Sequence, residues 1–270
     1  MMGVGTVTFL LHARCIRLDD LVFVIRAIKE VVILYMHEFN MMSFVSFSQK
    51  IDTVLIPIGM IEAHGPHCSL STDILIPREF VRRLNQVMGN QLLMAPEIPF
   101  GHSFGLAPFP GTIDIPGDVF GAYVFEVAKA FLKQNMRNIV LFNGHGGNMS
   151  SLSLVSEKLA DLGAVVLTIN WWVDYRPEIV KYAPETGHAG EDETSTILAI
   201  DASLVNMQDV TSQTISTPSN LKMKDMGRLA YPHAYSGNAG AATAEKGEQI
   251  YSALLPLIIA DIEKMWAFSY

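Results

Sequence analysis

The sequence predicts an α/β fold, arranged as a three-layer α/β/α structure around a mostly parallel central sheet. Short, apolar, β-branched segments alternate with longer segments that carry the apolar spacing of helices. This alternation is typical of βαβ units, in which helices cover both faces of a parallel sheet. Half of the 270 residues are hydrophobic, which is enough for one such domain with a large core.

The predicted strands and helices follow one another along the chain. The segment "TVLIPIG" at residues 53–59 is apolar and ends in glycine, which is typical of a strand buried on both faces. The segment "PREFVRRLNQVMGN" at residues 77–90 begins with proline and closes with glycine, as helices often do. The other predicted strands are 91–100 (leading into a loop), 138–144 and 164–170. The other predicted helices are 117–135, 148–163, one that begins near Asp192, and 243–266.

The predicted domain comprises residues 41–270, because no repeat, low-complexity segment or clear linker divides them. Residues 1–40 form an N-terminal extension to which we assign no function. Within it, residues 18–36 have two interpretations. They are either an amphipathic helix that covers the sheet, or sequence upstream of a later start codon, because methionines follow at positions 36, 41 and 42.

Composition argues against several classes of partner. The net charge is −8 and no cluster of lysine and arginine is present, so no nucleic-acid partner is expected. No membrane association is expected either, because the most apolar segment, residues 21–36, is interrupted by Arg26, Lys29 and Glu30. The N-terminus lacks the pattern of a secretory signal, and two cysteines suit a reducing compartment. We therefore expect a cytoplasmic protein.

Clusters of histidine and carboxylate follow two of the predicted strands and precede a helix. The clusters are "EAHGPHCSLSTD" (62–73), "NGHGGN" (143–148) and "GHAGEDETS" (187–195). Ligands of open α/β sheets bind beyond the carboxyl ends of the strands, where the first two clusters lie. Glu62 and His64 are two residues apart and point the same way in extended backbone. With Asp73 and His145, they form a set of ligands that suits Zn, Mn or Fe(II).

Each cluster also has an interpretation without a metal. A histidine beside a glycine-rich turn is often a hydrogen-bonded turn residue. The segment "NGHGGN" alone fits an anion-binding turn at a helix N-terminus. Acidic residues at the start of a helix are favoured by its macrodipole. The joint occurrence of the clusters at strand ends favours the metal interpretation.

Five segments, taken in order, resemble the signature blocks of the creatininase family of metal-dependent amidohydrolases. They are "PIGMIEAHGPHCSLSTD" (57–73), "FPGTI" (109–113), "NGHGGN", "HAGEDETS" and "ATAEKG" (242–247). The resemblance covers roughly residues 50–255. It implies a creatininase-like α/β/α fold, a homo-oligomer that is often hexameric, two divalent metal ions and a small-molecule amide substrate.

The resemblance also implies roles for individual residues. Glu62, Asp73 and His145 would bind one metal, and His64 would bind the other, with Asp73 as the bridge. His188 matches a histidine near the substrate and is a candidate proton shuttle. His67 matches a family position whose role the sequence does not give.

The sequence departs from the best-known family pattern at Gly147, where creatininase itself has a carboxylate that completes the second metal site. We predict that Glu191 supplies the missing oxygen, with Glu193 as the competing candidate. A histidine common before "FPGT" is also replaced, by Leu106 or Ala107. This loop is expected to shape the substrate pocket, and Trp171 and Trp172 are candidates for its wall.

The expected function is hydrolysis of a non-peptide C–N bond, in a cyclic amide or formamide, by a metal-activated hydroxide at a dinuclear site. His188 would protonate the leaving nitrogen. Two alternatives remain open at this point. One is hydrolysis of a lactone or a peptide end at the same centre, and the other is a non-catalytic metal-binding scaffold.

Overall fold

A computed structural model of the chain describes residues 35–210 and 221–268. Nearly all of the helix proposed for residues 18–36 lies outside them. The described residues belong to one unit, Ile33–Tyr270. This unit includes residues 35–39, which precede the predicted domain start: Tyr35 forms a β-bridge with Met94, and Phe39 packs against the core.

A four-stranded parallel sheet lies at the centre of the described unit. Its strands are β1 (Thr53–Ile58), β2 (Leu93–Met94), β3 (Asn138–Asn143) and β4 (Val165–Asn170). The order across the sheet is β2-β1-β3-β4, and each pairing is parallel. All six residues of β1 and of β3 are buried. The continuous apolar segments within them, 54–58 and 139–142, therefore reflect a sheet covered on both sides.

Helices cover both faces of the sheet. In chain order they are α1 (Met41–Ser48), α2 (Thr72–Met88), α3 (Gly117–Lys133), α4 (Met149–Asp161), α5 (Trp171–Asp174), α6 (Arg176–Ile179), α7 (Glu191–Ile200), α8 (Gly227–Ala230) and α9 (Ala244–Ala267). One face packs against α2, α7 and α9, and the opposite face packs against α3 and α4. In β1, Leu55 belongs to the first core, while Val54 and Ile56 belong to the second. The structure thus confirms the three-layer α/β/α prediction.

Two predicted elements differ from the observed ones. The helix predicted to begin at Pro77 is α2, which begins five residues earlier, at Thr72. The Thr72 hydroxyl donates to the Ser69 carbonyl and stabilises this earlier start. Asp73 therefore lies in the first turn of a helix. The strand predicted at 91–100 is short, because Pro96 and Pro99 have no N–H to continue the ladder.

In the described parts of the chain, no helix has both the length and the apolar character needed to cross a membrane.

Candidate metal centre

The predicted ligands meet at the carboxyl ends of β1 and β3. These strands are neighbours, and their last residues, Ile58 and Asn143, are directly paired. Strand β2, which follows β1 in the chain, pairs with one edge of β1, and β3 pairs with its other edge. This is the point in an open α/β sheet where a binding crevice forms. The segments 59–72 and 144–148 line that crevice.

The first group of ligands contains Glu62, Asp73 and His145. His145 Nδ1 lies 2.8 Å from Asp73 Oδ2 and 3.2 Å from Glu62 Oε1. All three side chains are buried. Their ligand atoms lie within 4.8 Å of one another, close enough to bind one ion.

The second group contains His64, Asp73 and Glu193. His64 Nε2 lies 3.0 Å from Asp73 Oδ1 and 3.6 Å from Glu193 Oε2. These three residues also offer ligand atoms within 4.8 Å of one another. Asp73 contributes its Oδ1 atom to this group and its Oδ2 atom to the first. The carboxylate thus lies between the two groups, as a bridging ligand would.

His188 lies beside both groups. Its Nδ1 atom is 3.5 Å from Glu62 Oε1, and its ring centroid is 4.2 Å from that of His64. With Glu62 and His64 it forms a third set of atoms close enough to bind an ion. The position predicted for a proton shuttle is therefore next to the clustered ligands, at the wall of the cavity.

His64, His145 and His188 are held by the backbone in the same way, and this orientation suits metal binding. One ring nitrogen of each faces a backbone carbonyl: His64 Nδ1 faces Glu62 O, His145 Nε2 faces His102 O and His188 Nε2 faces Ala63 O. A carbonyl only accepts, so that nitrogen carries the proton. In a neutral ring, the other nitrogen then directs a lone pair at the carboxylates. Histidines that bind metals are usually held in this way.

The carboxylates show the same need for a cation. Within the described residues, both oxygens of Glu62 and Asp73 Oδ2 are buried and accept no hydrogen bond. The close approach of His145 Nδ1 to Asp73 Oδ2 is a contact between a carboxylate and a nitrogen whose proton is on the opposite side of the ring. Leaving buried carboxylate oxygens without partners is costly. The side chains therefore fit divalent cations.

The electrostatics of the cluster agree with this interpretation. Burial acts to lower the pKa of His64, but Asp73, Glu193 and Glu62 outweigh it and raise that pKa to about 9. Burial raises the pKa of Glu193 well above its usual value, although the positive charge of His64 opposes the shift. Burial, together with the neighbouring His64, lowers the pKa of His188 to about 4. The raised pKa of His64 shows that the carboxylates around it attract positive charge strongly.

Glu191 does not join these groups, which corrects the expectation that it completes the second site. Its carboxylate forms an ion pair with Lys246 Nζ and accepts the backbone N–H of Glu185 at 2.9 Å. Glu193, the competing candidate, lies with His64 and Asp73 in the second group instead. Residues two apart near a helix start point in different directions, so only one of the two glutamates can reach the crevice.

The two predicted tryptophans lie in different surroundings. Trp171 is fully buried in the core, where it packs against Phe80, so it is not part of a pocket wall. Trp172 lines a cavity of about 780 Å³ in front of the clustered ligands. Other lining residues are His102, Phe104, Leu106, Arg176 and Tyr231. The prediction is thus corrected for Trp171, whereas Trp172 is placed at the cavity.

His67 is buried near the cluster but does not join it. Its Nε2 atom lies 3.1 Å from the Ala189 carbonyl and 3.2 Å from Thr194 Oγ1. His67 therefore connects the segment after β1 to the segment that carries His188 and Glu193. No pattern in the sequence predicts this role of His67.

The asparagines of "NGHGGN" fix the backbone around His145. Asn143 Oδ1 accepts the His145 N–H, and Asn143 Nδ2 donates to the His145 carbonyl. Asn148 Nδ2 donates to the Gly59 carbonyl, and Asn148 Oδ1 accepts the His102 N–H. These bonds join the segments after β1 and β3. The asparagines therefore position the histidine, a role that their pattern in the sequence does not indicate.

Gly147 is needed at its position because the backbone of residue 102 lies against it. A Cβ atom on Gly147 would lie 1.9 Å from the His102 carbonyl oxygen, whereas one on Gly146 would meet nothing closer than Trp172 at 3.8 Å. We expect Gly147→Ala to destabilise the protein by about 1–3 kcal/mol, as overpacking does. Gly146→Ala is the matched control and should stay within about 0.5 kcal/mol. Denaturant unfolding measures both, and equal stabilities would contradict the close packing.

Comparison with known proteins agrees with the geometry. Residues 37–262 match the family described as "Creatininase: Creatinine amidohydrolase". A creatinine amidohydrolase from Pseudomonas putida is 27% identical over 219 residues, covering 73% of this chain and 83% of that protein. A mycofactocin precursor peptide peptidase from Mycolicibacterium smegmatis is 30% identical over 209 residues, covering 75% and 81%.

The solved structures include a crystal structure of creatinine amidohydrolase (creatininase). It is similar to this chain with a TM-score of 0.73 and 25% identity, covering 86% of this chain and 97% of that one. The family match spans most of the chain, including every clustered ligand. The chain belongs to the creatininase family of amidohydrolases.

Proposed function

We propose that the chain hydrolyses a non-peptide C–N bond, in a cyclic amide or a formamide of a small molecule, at a centre of two divalent metal ions. The observation that carries the proposal is the position of Asp73. One of its oxygens faces His64 and the other faces His145, and each of these two groups offers three side chains close enough together to bind one ion. Such a centre suits amide hydrolysis, because it activates both the amide carbonyl and water, which are poorly reactive on their own.

In this proposal Glu62, Asp73 and His145 hold one ion, and His64, Asp73 and Glu193 hold the other. Mixed imidazole and carboxylate ligands suit Zn, Mn or Fe(II). Bound ions of this kind lower the pKa of water from about 15.7 to 7 and polarise a carbonyl group. The backbone carbonyls of residues 62 and 102 keep His64 and His145 turned toward the carboxylates.

His188 moves the proton in this proposal. Its Nε2–H is donated to the Ala63 carbonyl at 2.8 Å, which leaves Nδ1 as the nitrogen near Glu62. Through Nδ1 the ring accepts a proton from the attacking water and passes it to the leaving nitrogen. In this proposal the substrate occupies the cavity in front of the ligands, which Trp172 lines.

The proposal includes a homo-oligomer, which the family resemblance implies, and a cytoplasmic location, which the composition favours. The free thiol of Cys68 suits a reducing compartment.

A second candidate function is hydrolysis near a peptide end. The similarity to a mycofactocin precursor peptide peptidase supports it. So does the cavity of about 780 Å³, which lies in the range for drug-sized ligands and exceeds the needs of a small ring. The two functions require the same centre and differ in how the cavity is filled.

Hydrolysis assays on Zn-, Mn- and Fe-loaded protein test the proposal. The panel contains cyclic amides, formamides, lactones and short peptides. Hydrolysis of an amide or formamide supports the proposal, and hydrolysis of peptides alone favours the second candidate. If the protein binds metal and hydrolyses none of them, a scaffold is the better account.

Replacing His188 with alanine should leave the bound metals in place and lower turnover by about 100- to 10,000-fold, the usual contribution of a general acid–base group. His188 is in neither of the two groups that contain Asp73, which are the ones proposed to hold the ions. Elemental analysis and kcat on the best substrate from the panel measure the two effects. His233→Ala is the control, because His233 is exposed. Unchanged turnover of His188→Ala would remove the residue from the mechanism.

A further inference from the structure

His102 lines the cavity and is held in one orientation. Its Nδ1 atom lies 3.0 Å from the Ile115 carbonyl oxygen and 3.1 Å from Asp114 Oδ1. Because a carbonyl only accepts hydrogen bonds, the proton of the neutral ring is on Nδ1. A carboxylate beside that proton fixes the same tautomer.

Asp114 holds the backbone of this segment as well as the ring. Its Oδ1 atom also accepts the Ser103 N–H at 2.6 Å. The His102 N–H is bound by Asn148 Oδ1, and the His102 carbonyl accepts from His145 Nε2. The ring of His102 is therefore attached through its own backbone to the segment that positions a proposed metal ligand.

The opposite edge of the ring carries Nε2. In the described parts of the chain no hydrogen-bond partner is found for this atom, and 29% of the His102 side chain is exposed. In the neutral ring Nε2 bears a lone pair. The cavity that His102 lines is the one that also contains Glu62 and His145. An oriented acceptor is thus available beside the centre, and the proposed mechanism does not use it.

We infer that His102 is a substrate-binding residue whose Nε2 accepts a hydrogen bond from the N–H of an amide or formamide. The inference rests on the proposed function and narrows its substrates. Amides with an N–H are favoured over N-alkylated amides and over lactones, which have no such donor. A site built to bind a substrate N–H discriminates against analogues that lack it. Because the ring is partly exposed, we expect a contribution of about tenfold.

Matched formamides test the inference by turnover. Formanilide has an N–H, and N-methylformanilide has a methyl group in its place. We expect the ratio of their kcat/KM values to fall about tenfold in His102→Leu. His102→Gln should restore part of the ratio, because its amide oxygen can accept near the position of Nε2. An unchanged ratio in His102→Leu would overturn the inference.

Binding supplies a readout that does not require hydrolysis. Dissociation constants of 2-pyrrolidinone and N-methyl-2-pyrrolidinone are measured by NMR titration of the metal-loaded protein. Tighter binding of the N–H compound to the wild type, lost in His102→Leu, supports the role of His102 even if no amide is hydrolysed. In that case only the proposed function fails. Equal binding of the two compounds, or no binding of either, overturns the inference.

Two further measurements distinguish substrate binding by His102 from a purely structural role. His102→Leu should retain the metal content of the wild type, and loss of metal together with selectivity would overturn the inference. Asp114→Ala should lower the N–H preference, whereas Asp114→Asn should restore it, since the asparagine Oδ1 can accept the same two hydrogen bonds. Failure of Asp114→Asn to restore the preference would contradict the positioning by Asp114.

Discussion

Replacing Asp73 with alanine is expected to lower hydrolysis on the order of a thousandfold and to reduce metal binding at both positions. The thousandfold figure corresponds to losing several kcal/mol of metal-derived transition-state stabilisation. Asp73 Oδ1 faces His64 and Asp73 Oδ2 faces His145, so removal of one carboxylate takes an oxygen from each group. Elemental analysis of the purified variant and kcat/KM on an amide substrate measure the two effects.

Asp161→Ala is the control for this prediction. Asp161 is an exposed aspartate at the end of α4, so its removal should change neither the metal content nor the rate. Circular dichroism shows whether Asp73→Ala folds. A folded Asp73→Ala that keeps two ions would show that the carboxylate does not bridge them.

Replacing Lys246 with methionine is expected to destabilise the protein by about 3–5 kcal/mol. Lys246 forms an ion pair with Glu191, whose side chain is 1% exposed, and also donates to the Ala241 carbonyl at 2.8 Å. Without the ammonium group, the Glu191 carboxylate remains buried without a compensating charge. Denaturant unfolding monitored by circular dichroism measures the change.

Two variants control for the loss of a lysine from α9. Lys264→Met breaks an exposed ion pair with Asp261 and should cost at most about 1 kcal/mol. Lys246→Met combined with Glu191→Gln should recover part of the lost stability, because the buried charge is then absent too. Equal stabilities of Lys246→Met and Lys264→Met would show that the buried pair contributes no more than a surface one.

The strands and most ligands could be predicted because their signals are local. Residues 54–58 and 139–142 are continuous apolar sequences, and the parallel arrangement brings the carboxyl ends of their strands together. The histidines and carboxylates that follow them therefore had to meet. Glu62, His64, Asp73 and His145 were expected at one centre, and the structure brings their side chains together there.

The choice between Glu191 and Glu193 could not be made from the sequence. It depends on the rotation of α7, which is set by the preceding turn, where Ala189 has a φ of 50°. Glu193 Oε2 accepts the Ala189 N–H in that turn, while Glu191 points toward Lys246, 55 residues away. Adjacent Trp171 and Trp172 show the same difficulty, because only tertiary packing decides which ring enters the core.

The content of metal ions per chain tests the central claim most directly. Protein loaded separately with Zn, Mn and Fe(II) is freed of excess metal and analysed, and anomalous diffraction then locates the ions. We expect two ions per chain for at least one metal, with Asp73 in contact with both. One ion or none for every metal, or ions bound away from Glu62, His64, His145 and Glu193, would contradict the account.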